Sequence, residues 1–301
     1  MQVTRSLVKR ALRMLLSIVS VVLLGGLIAA GIMQLAPGFG VDARELDPRL
    51  NRDSVEAIRA ARSREGNPLG FYFRYLHRIA HGDFGVSQSL GRPVAELLAE
   101  RVPATVRTVT GGVLCGWSAG LGLALLACLV RTGVLDAVSG TLSAFFLCIP
   151  SSVLALFLVF LSPPERRVST SVTLAIALVV FPRTYRFSRG ILGQVLLMPH
   201  LLAARARGLP SGRVLFLHAL PAAAPAILAL GGVSLSVALS ASIPIEAICD
   251  WPGIGQLAWQ ASLERDLPLL LILTLLITVV VVTANSMASL VGELTPGGAA
   301  K

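Results

Sequence analysis

Two stretches of this 301-residue chain carry residue types at spacings that chemistry uses. The first is Gly116-Trp117-Ser118-Ala119-Gly120, which fits G-x-S-x-G, the pattern that presents a serine hydroxyl as a nucleophile. Such a serine attacks only when a strand-to-helix turn exposes it and a histidine and an acid handle its proton. Here the pattern lies in the middle of a long apolar run. The 4 histidines, His77, His81, His200 and His218, fall outside the apolar runs or at their edges. A second reading is geometric. Gly112, Gly116 and Gly120 recur every four residues. That puts three positions without side chains on one helix face and lets another helix approach closely. Packing is the favoured reading, and an intramembrane hydrolase using Ser118 is its rival.

The second stretch runs from Pro199-His200-Leu201-Leu202-Ala203-Ala204-Arg205-Ala206-Arg207-Gly208-Leu209 to His218-Ala219-Leu220-Pro221. It is basic, partly apolar and free of acids, and it separates two long hydrophobic runs. Gly208 sits where a short helix needs a C-terminal stop, and Pro221 sits just inside the next apolar run. A loop at a membrane surface needs no apolar helix for its own stability, so one that carries such a helix offers it to a partner. A third stretch, Glu246 to Gly255, combines turn-forming Pro252, Gly253 and Gly255 with Trp251, a residue suited to a membrane interface. Alone it reads as an interfacial re-entrant loop.

Other chemistry finds no support. No P-loop, H-E-x-x-H or G-x-G-x-x-G is placed to bind phosphate, metal or dinucleotide, so no cofactor is expected in this chain and it has no visible means of hydrolysing ATP. Cys115, Cys128, Cys148 and Cys249 show no C-x-x-C spacing and read as small apolar residues. No apolar run carries a carboxylate at its centre, which disfavours proton- or sodium-coupled transport. Arg107 and Asp136 lie near span ends, where anchoring and snorkelling are the plain roles; a substrate contact by Arg107 stays open.

The elements that must hold these residues are membrane spans. The chain is 54% hydrophobic and only 14% charged, against about 25% charged in a soluble domain. Its net charge of +10 is spread over the ends of apolar runs, not along one amphipathic face, which argues against nucleic acid as a partner. Residues 14–35 form a first span behind Arg5, Lys9, Arg10 and Arg13. This run is longer than the roughly 7–15 residues of a signal-peptide core, so it is expected to remain, with the N-terminus in the cytoplasm. Residues 36–103 mix acids and arginines almost evenly and read as a solvated segment on the far side. Helical stretches are expected near 53–64 and 70–80, a turn at Gly82-Asp83-Phe84-Gly85, and a helix opened by Pro93 over 94–101. Pro103 marks the return to the membrane. Further spans are expected at 105–130, 137–161, 168–187, 217–243 and 267–291, with kinks at Pro150, Pro221 and Pro225. Residues 183–213 hold six arginines and no acid, whereas 244–266 hold Glu246, Asp250, Glu264 and Asp266 against Arg265 alone. The first of these loops is therefore cytoplasmic and the second external. The expected fold is all-α, with six transmembrane helices and both termini cytoplasmic. No internal repeat supports an inverted-repeat secondary transporter.

These residues together resemble the membrane permease subunits of binding-protein-dependent ABC importers, in particular the dipeptide/oligopeptide/nickel branch. The cytoplasmic motif of that family is E-A-A, three residues, Gly, nine residues, I-x-L-P. Ala203-Ala204, three residues, Gly208, nine residues and His218-Ala219-Leu220-Pro221 reproduce its spacing. Leu202 stands for the Glu and His218 for the Ile. Leu35-Ala36-Pro37-Gly38, Gly82 to Gly85, Gly91 to Val94, Pro103-Ala104-Thr105, Trp251 to Gly255 and Arg265 to Pro268 are similar to other segments of the branch. Cys249 stands where an aromatic is usual, and the outer link 162–168 is shorter than usual.

The resemblance implies a type I importer permease fold. Residues 1–35 form the cytoplasmic N-terminus and first span, 36–103 the external segment, and 104–301 the permease core with a cytoplasmic coupling loop at 188–217. The implied setting is the bacterial cytoplasmic (inner) membrane. The implied partners are a second permease in a heterodimer, two ATPase subunits carrying the ATP and Mg, an extracytoplasmic substrate-binding protein and the lipid bilayer. Leu202, Ala203, Ala204, Arg205, Arg207, Gly208, Leu209, His218, Leu220 and Pro221 would make the ATPase-coupling motif. In it Leu201, Leu202 and Leu209 enter a groove on the ATPase, while Arg205 and Arg207 meet acids at its rim. Glu246, Trp251, Pro252, Gly253 and Gly255 would face the binding protein. The implied cargo is a di- or oligopeptide, with nickel or another small solute as the alternative.

Overall fold

The longest helix through the glycine face, α1, spans Val94–Val130. It begins at Val94, where the Leu97 N–H reaches the Pro93 carbonyl at 3.3 Å, and it runs through Pro103 without a break. Pro103 removes one backbone bond and does not end the helix, so the expected return point at 103 is instead an interior position. The computed structural model describes residues 76–293, leaving out 80, 131 and 163–167, and scattered positions between 16 and 28. The expected helix at 53–64 lies outside the described residues, as does most of the expected first span; its described positions are helical.

After α1 come α2 (Gly133–Cys148), α3 (Ser151–Leu161), α4 (Val168–Val195), α5 (Pro199–Ala206), α6 (Ser211–Ile248), α7 (Ile254–Leu263) and α8 (Leu267–Glu293). There is no strand among the described residues beyond one isolated bridge between Val86 and Pro93. Among the described residues, four helices are long and apolar enough to cross a bilayer: α1, α4, α6 and Pro268–Ser289 of α8. A fifth crossing is possible if α2 and α3 count as one span. The expected span at 137–161, with its kink at Pro150, is thus two helices meeting at 100°. The cause is local. Proline disfavours the helical region for the residue before it, and here Ile149 is extended at φ −85°, ψ 124°, followed by Pro150 at φ −58°, ψ 142°.

The described residues form two compact units, Glu100–Trp259 with 280–293, and 16–28 with 76–99 and 260–279. In the first, α4 is the central element. Val172, Ala175, Ile176, Val180 and Leu192 are buried along it, and it packs against α2, α3 and α6. α4 runs past its expected end at 187, since Arg183, Arg186 and Arg189 sit in a helix that continues to Val195. The Trp117 Nε1–H of α1 donates to Ser234 Oγ of α6 at 2.9 Å, which satisfies a polar group where no water competes. Asp136 of α2 accepts two bonds from Arg189 of α4, at 3.0 and 2.8 Å. Within α6, residues Leu215–Ala219 are π-helical. The Leu220 N–H there reaches back to the Leu215 carbonyl. Pro221 follows directly, where the regular ladder would need an N–H that proline lacks.

In the second unit, Gly82, Gly85 and Gly91 adopt positive φ and shape the turn expected at 82–85 and the loop after it. Asp266 is 1% exposed and organises the rest. Its Oδ2 accepts from Ser87 Oγ (2.5 Å), Ser89 N (3.0 Å) and Ser89 Oγ (2.8 Å). Its Oδ1 accepts from the Leu269 N–H at 3.2 Å, which caps the start of α8. Leu271 is fully buried against Leu27, Leu76 and Ile79.

Candidate coupling helix and outer loop

α5 is 8 residues long, opens with Pro199 at its first turn and has no side-chain N-cap. Its end is built on the backbone. The Gly208 N–H donates to the Arg205 carbonyl at 2.9 Å and the Leu209 N–H to the Ala204 carbonyl at 3.4 Å. This pair of bonds is the Schellman arrangement, and it requires Gly208 at φ +80°. The helix is held to its own chain by Leu201, which is 1% exposed among Leu192, Val195, Leu196, Val214 and Leu215. Leu201 is therefore not free to enter a partner's groove, contrary to the expectation; at this point of the turn the apolar side chain faces inward. Ala204 and Leu209 also pack on that cluster. Leu202 is 46% exposed, and Ala203, Ala206, Arg207 and Gly208 are exposed beside it in sequence. Arg205 is half-buried, with its Nε lacking a partner among the described residues. His218 and Pro221 are exposed and Leu220 is half-buried. Phe216 and Leu217, at 49% and 63% exposed, add apolar surface to the π-helical segment.

The outer loop is organised from inside. Glu246, expected to face a partner, is 0% exposed. Its Oε2 accepts from Thr105 Oγ1 at 3.1 Å and from the Gly255 N–H at 2.7 Å, and Thr105 Oγ1 in turn accepts from the Ile254 N–H at 2.7 Å. A Cβ at Gly253 would stand 2.5 Å from Thr105 Oγ1, and one at Gly255 2.6 Å from Ile243 Cα. Both glycines are buried because the chain wraps closely around this carboxylate. Glu246, Gly253 and Gly255 thus hold the loop's shape. Pro252 is exposed and Trp251 half-buried, leaving these two to meet anything outside. Gln256 bridges Asp250 and Arg101, the latter at 2.8 Å. Burial, with the Glu246 charge nearby, pushes the Cys249 thiol up to about 11, which leaves it without nucleophilic character at neutral pH.

The glycine face of α1 meets α4 directly. A Cβ at Gly112 would lie 2.6 Å from Ile176 Cγ2, at Gly116 2.7 Å from the Ala177 carbonyl oxygen, and at Gly120 2.8 Å from that of Phe181. Ser118 points elsewhere. Its Oγ donates to the Leu114 and Cys115 carbonyls, at 2.6 and 3.2 Å, within the helix and with no strand-to-helix turn. Three features escaped the sequence reading: α7, the Asp136–Arg189 pair and the Thr105–Glu246 tie. The pairs join residues 53 and 141 positions apart, and no local pattern reports such a meeting.

The long apolar helices, the capped short helix α5 and the loop wrapped around Glu246 belong to a membrane protein of a recognisable family. Residues 112–294 match the family of binding-protein-dependent transport system inner membrane components. The chain belongs to that family: it is an inner-membrane, multi-pass permease of an ABC importer. It is similar to the oligopeptide transport system permease protein OppB of Salmonella typhimurium, 29% identical over 82% of this chain and 84% of the relative. It is also similar to a probable peptide ABC transporter permease protein, y4tP, of Sinorhizobium fredii, 26% identical over 93% and 95%. The oligopeptide permease AppB of Bacillus subtilis is 25% identical over 86% and 89%.

Proposed function

We propose that this chain is one permease subunit of an ATP-driven importer that moves di- or oligopeptides across the cytoplasmic membrane. The observation that carries this reading is the near full-length similarity to peptide permeases from three organisms. The alternative cargo is nickel or another non-peptide solute, since the short link 162–168 and Cys249 depart from the branch pattern. The proposed complex holds a second permease, two ATPases that bind the ATP and Mg, and an extracytoplasmic binding protein. This chain supplies no catalytic residue.

The proposed topology has six spans, the first within 1–35, with both termini cytoplasmic. Residues 36–103 form the external segment and 104–301 the permease core. In this reading the loop 188–217 is cytoplasmic and α5 is the coupling helix, a short helix laid in a groove of the ATPase. Leu202, Ala203, Ala206 and Arg207 are its contact surface, and Leu201 anchors it to the permease. Arg205 and Arg207 meet acids at the groove's rim. Displacement of α5 is passed to α6 through the π-helical segment and Pro221, a two-state element of the kind alternating access needs. On the outer side, Trp251 and Pro252 meet the binding protein.

The test is purification of the tagged chain from cells that express its neighbouring transport genes, followed by uptake of a labelled tripeptide. Co-purifying ATPases and ATP-dependent uptake are the expected result. Uptake that persists without any ATPase would overturn the proposal in favour of a secondary transporter. ATPase-dependent uptake of nickel alone would move the cargo to the alternative.

A further inference from the structure

The 100° break between α2 and α3 does more than bend a span. It opens a cavity of about 620 Å³ lined by Phe146, Pro150, Ser151, Arg183, Ser236 and Ser240, among others. This volume lies in the range of roughly 300–1,000 Å³ that small-molecule sites occupy. Arg183 is the only charged side chain among the described residues that line it. It sits close to the midpoint of the 28 residues of α4. The apolar run of this helix ends at Phe181, so Arg183 stands at the edge of that run, and an ionisable group held in a membrane-spanning helix is costly.

The usual reason to keep one is pairing with an acid, and no described acid pairs with Arg183. Arg189, two turns further along α4, has Asp136 at 2.8 Å. For Arg183, by contrast, the one bond among the described residues runs from Nη1 to the Val179 carbonyl, one turn back on its own helix, at 3.1 Å. Four guanidinium N–H donors stay open in a fork matched to a carboxylate.

The break adds to the same field. The Val153 and Leu154 N–H groups turn back to the Pro150 carbonyl, at 3.0 and 3.1 Å. The first N–H groups of α3, on Ser151 and Ser152, keep no backbone acceptor among the described residues. A helix start of this kind favours negative charge, and interrupted helices with exposed ends are a recurring way to build a solute site inside a membrane. On α6, Ser240 donates to the Ser236 carbonyl at 2.9 Å and Ser236 to that of Gly232 at 2.9 Å, with Asn285 Oδ1 also 3.1 Å from Ser236 Oγ. Their hydroxyl protons are spent, so their oxygens remain as acceptors. The cavity therefore holds one cationic group and two hydroxyl oxygens that can accept.

We propose that this cavity is a station for the solute within the membrane, and that Arg183 there binds its carboxylate while Ser236 and Ser240 accept N–H groups. A short peptide with a free C-terminus has both functions, so this inference rests on the peptide reading above. It assigns selectivity to the permease itself and not only to a protein outside.

The test uses the assembled transporter in vesicles and two probes, tri-alanine and tri-alanine amide, each also made with a photoreactive diazirine side chain. The variants are Arg183→Gln and Arg183→Lys, at wild-type abundance and ATPase association. Arg183→Gln is expected to lower initial tri-alanine uptake at least tenfold, whereas Arg183→Lys keeps a third or more. The amide's uptake and labelling are expected to change less than twofold between wild type and Arg183→Gln. Diazirine tri-alanine should label 146–151 or 236–241 in the wild type and not in Arg183→Gln.

Tri-alanine uptake within twofold of wild type in Arg183→Gln would overturn the station, as would equal proportional losses for acid and amide. If Arg183→Gln fails to accumulate, labelling of the wild type decides, and labels confined to other segments overturn the proposal. The two readings fail differently. A wild-type complex that imports no peptide overturns the cargo, and the station with it. A wild type that imports peptide beside an unimpaired Arg183→Gln overturns the station alone.

Discussion

Gly208 holds φ +80°, and nothing lies within 4 Å of where its Cβ would stand. Any harm from a substitution is therefore conformational and not steric. A left-handed L-residue costs roughly 1–2 kcal/mol, with asparagine the best tolerated. A β-branched residue fares worse there. Gly208→Val is thus expected to cut ATP-dependent uptake at least tenfold with unchanged membrane abundance, while Gly208→Asn keeps half or more. Initial uptake rates beside an immunoblot check both. Gly116 is the opposite case. Its φ is ordinary, but its Cβ would meet the Ala177 carbonyl oxygen at 2.7 Å and Val180 Cβ at 2.9 Å. Gly116→Val must push α1 away from α4, and the expected outcome is loss of the folded protein from the membrane, read as aggregation in detergent. Ser118→Ala, two residues away in the same motif, is expected to leave uptake unchanged. Full loss of activity with normal abundance would revive the serine as a nucleophile.

Helices are where the sequence was most and least legible. The apolar runs that became α1, α6 and α8 were plain, because about 20 apolar residues in a row have few other uses, whereas α4, whose unbroken apolar core runs only from Val172 to Phe181, was inferred from the loops it must join. The ends of these helices were not plain. Pro103 looked like a boundary and lies inside α1, while Pro150 looked like a kink and separates two helices. Both prolines lack an N–H; the difference lies in Ile149, which is extended, and in the packing around it. α7 was missed because the residues before it, Asp250 to Gly253, carry strong turn signals. Asp250 does turn, at φ +49°, but Thr105 and Glu246 then hold the start of α7. The spacing from Ala203 to Pro221 marked the segment proposed here for coupling, yet it could not tell Leu201 from Leu202. Likewise Glu246 read as an outward-facing acid because no pattern in 246–255 announces a partner at Thr105. This tie gives a prediction at the same scale. Glu246→Ala leaves Thr105 Oγ1 and the Gly255 N–H without their acceptor, and each buried unmet donor costs about 1–3 kcal/mol. The permease is expected to melt several degrees lower in a detergent thermal-shift assay. Pro252→Ala, at an exposed position in the same loop, should leave the melting temperature alone.

At the scale of the whole molecule, the permease must move with an engine it does not contain. In the proposed coupling role, α5 has to be firmly part of the permease and also available to a partner. Its two adjacent leucines divide these tasks. Leu201 is 1% exposed and Leu202 46%, a contrast that follows from successive residues pointing about 100° apart around a helix. The two positions should therefore fail in different ways when given the same charge. An aspartate at 201 would be buried without a partner, a cost of several kcal/mol that exceeds much of a typical protein's stability. Leu201→Asp should be degraded or aggregate before any question of coupling arises. An aspartate at 202 would face solvent in the isolated permease, so its melting temperature should stay within about 2 °C of wild type. In the complex the same side chain would be desolvated against the ATPase, and a contact residue of that kind is worth about 2 kcal/mol or more. Leu202→Asp should then reduce ATPase co-purification at least tenfold, a factor that corresponds to about 1.4 kcal/mol. Normal ATPase recovery with Leu202→Asp would place the docking surface elsewhere. Normal stability of Leu201→Asp would mean that the helix is not anchored through that residue. Measured together, the two variants separate holding the helix from using it.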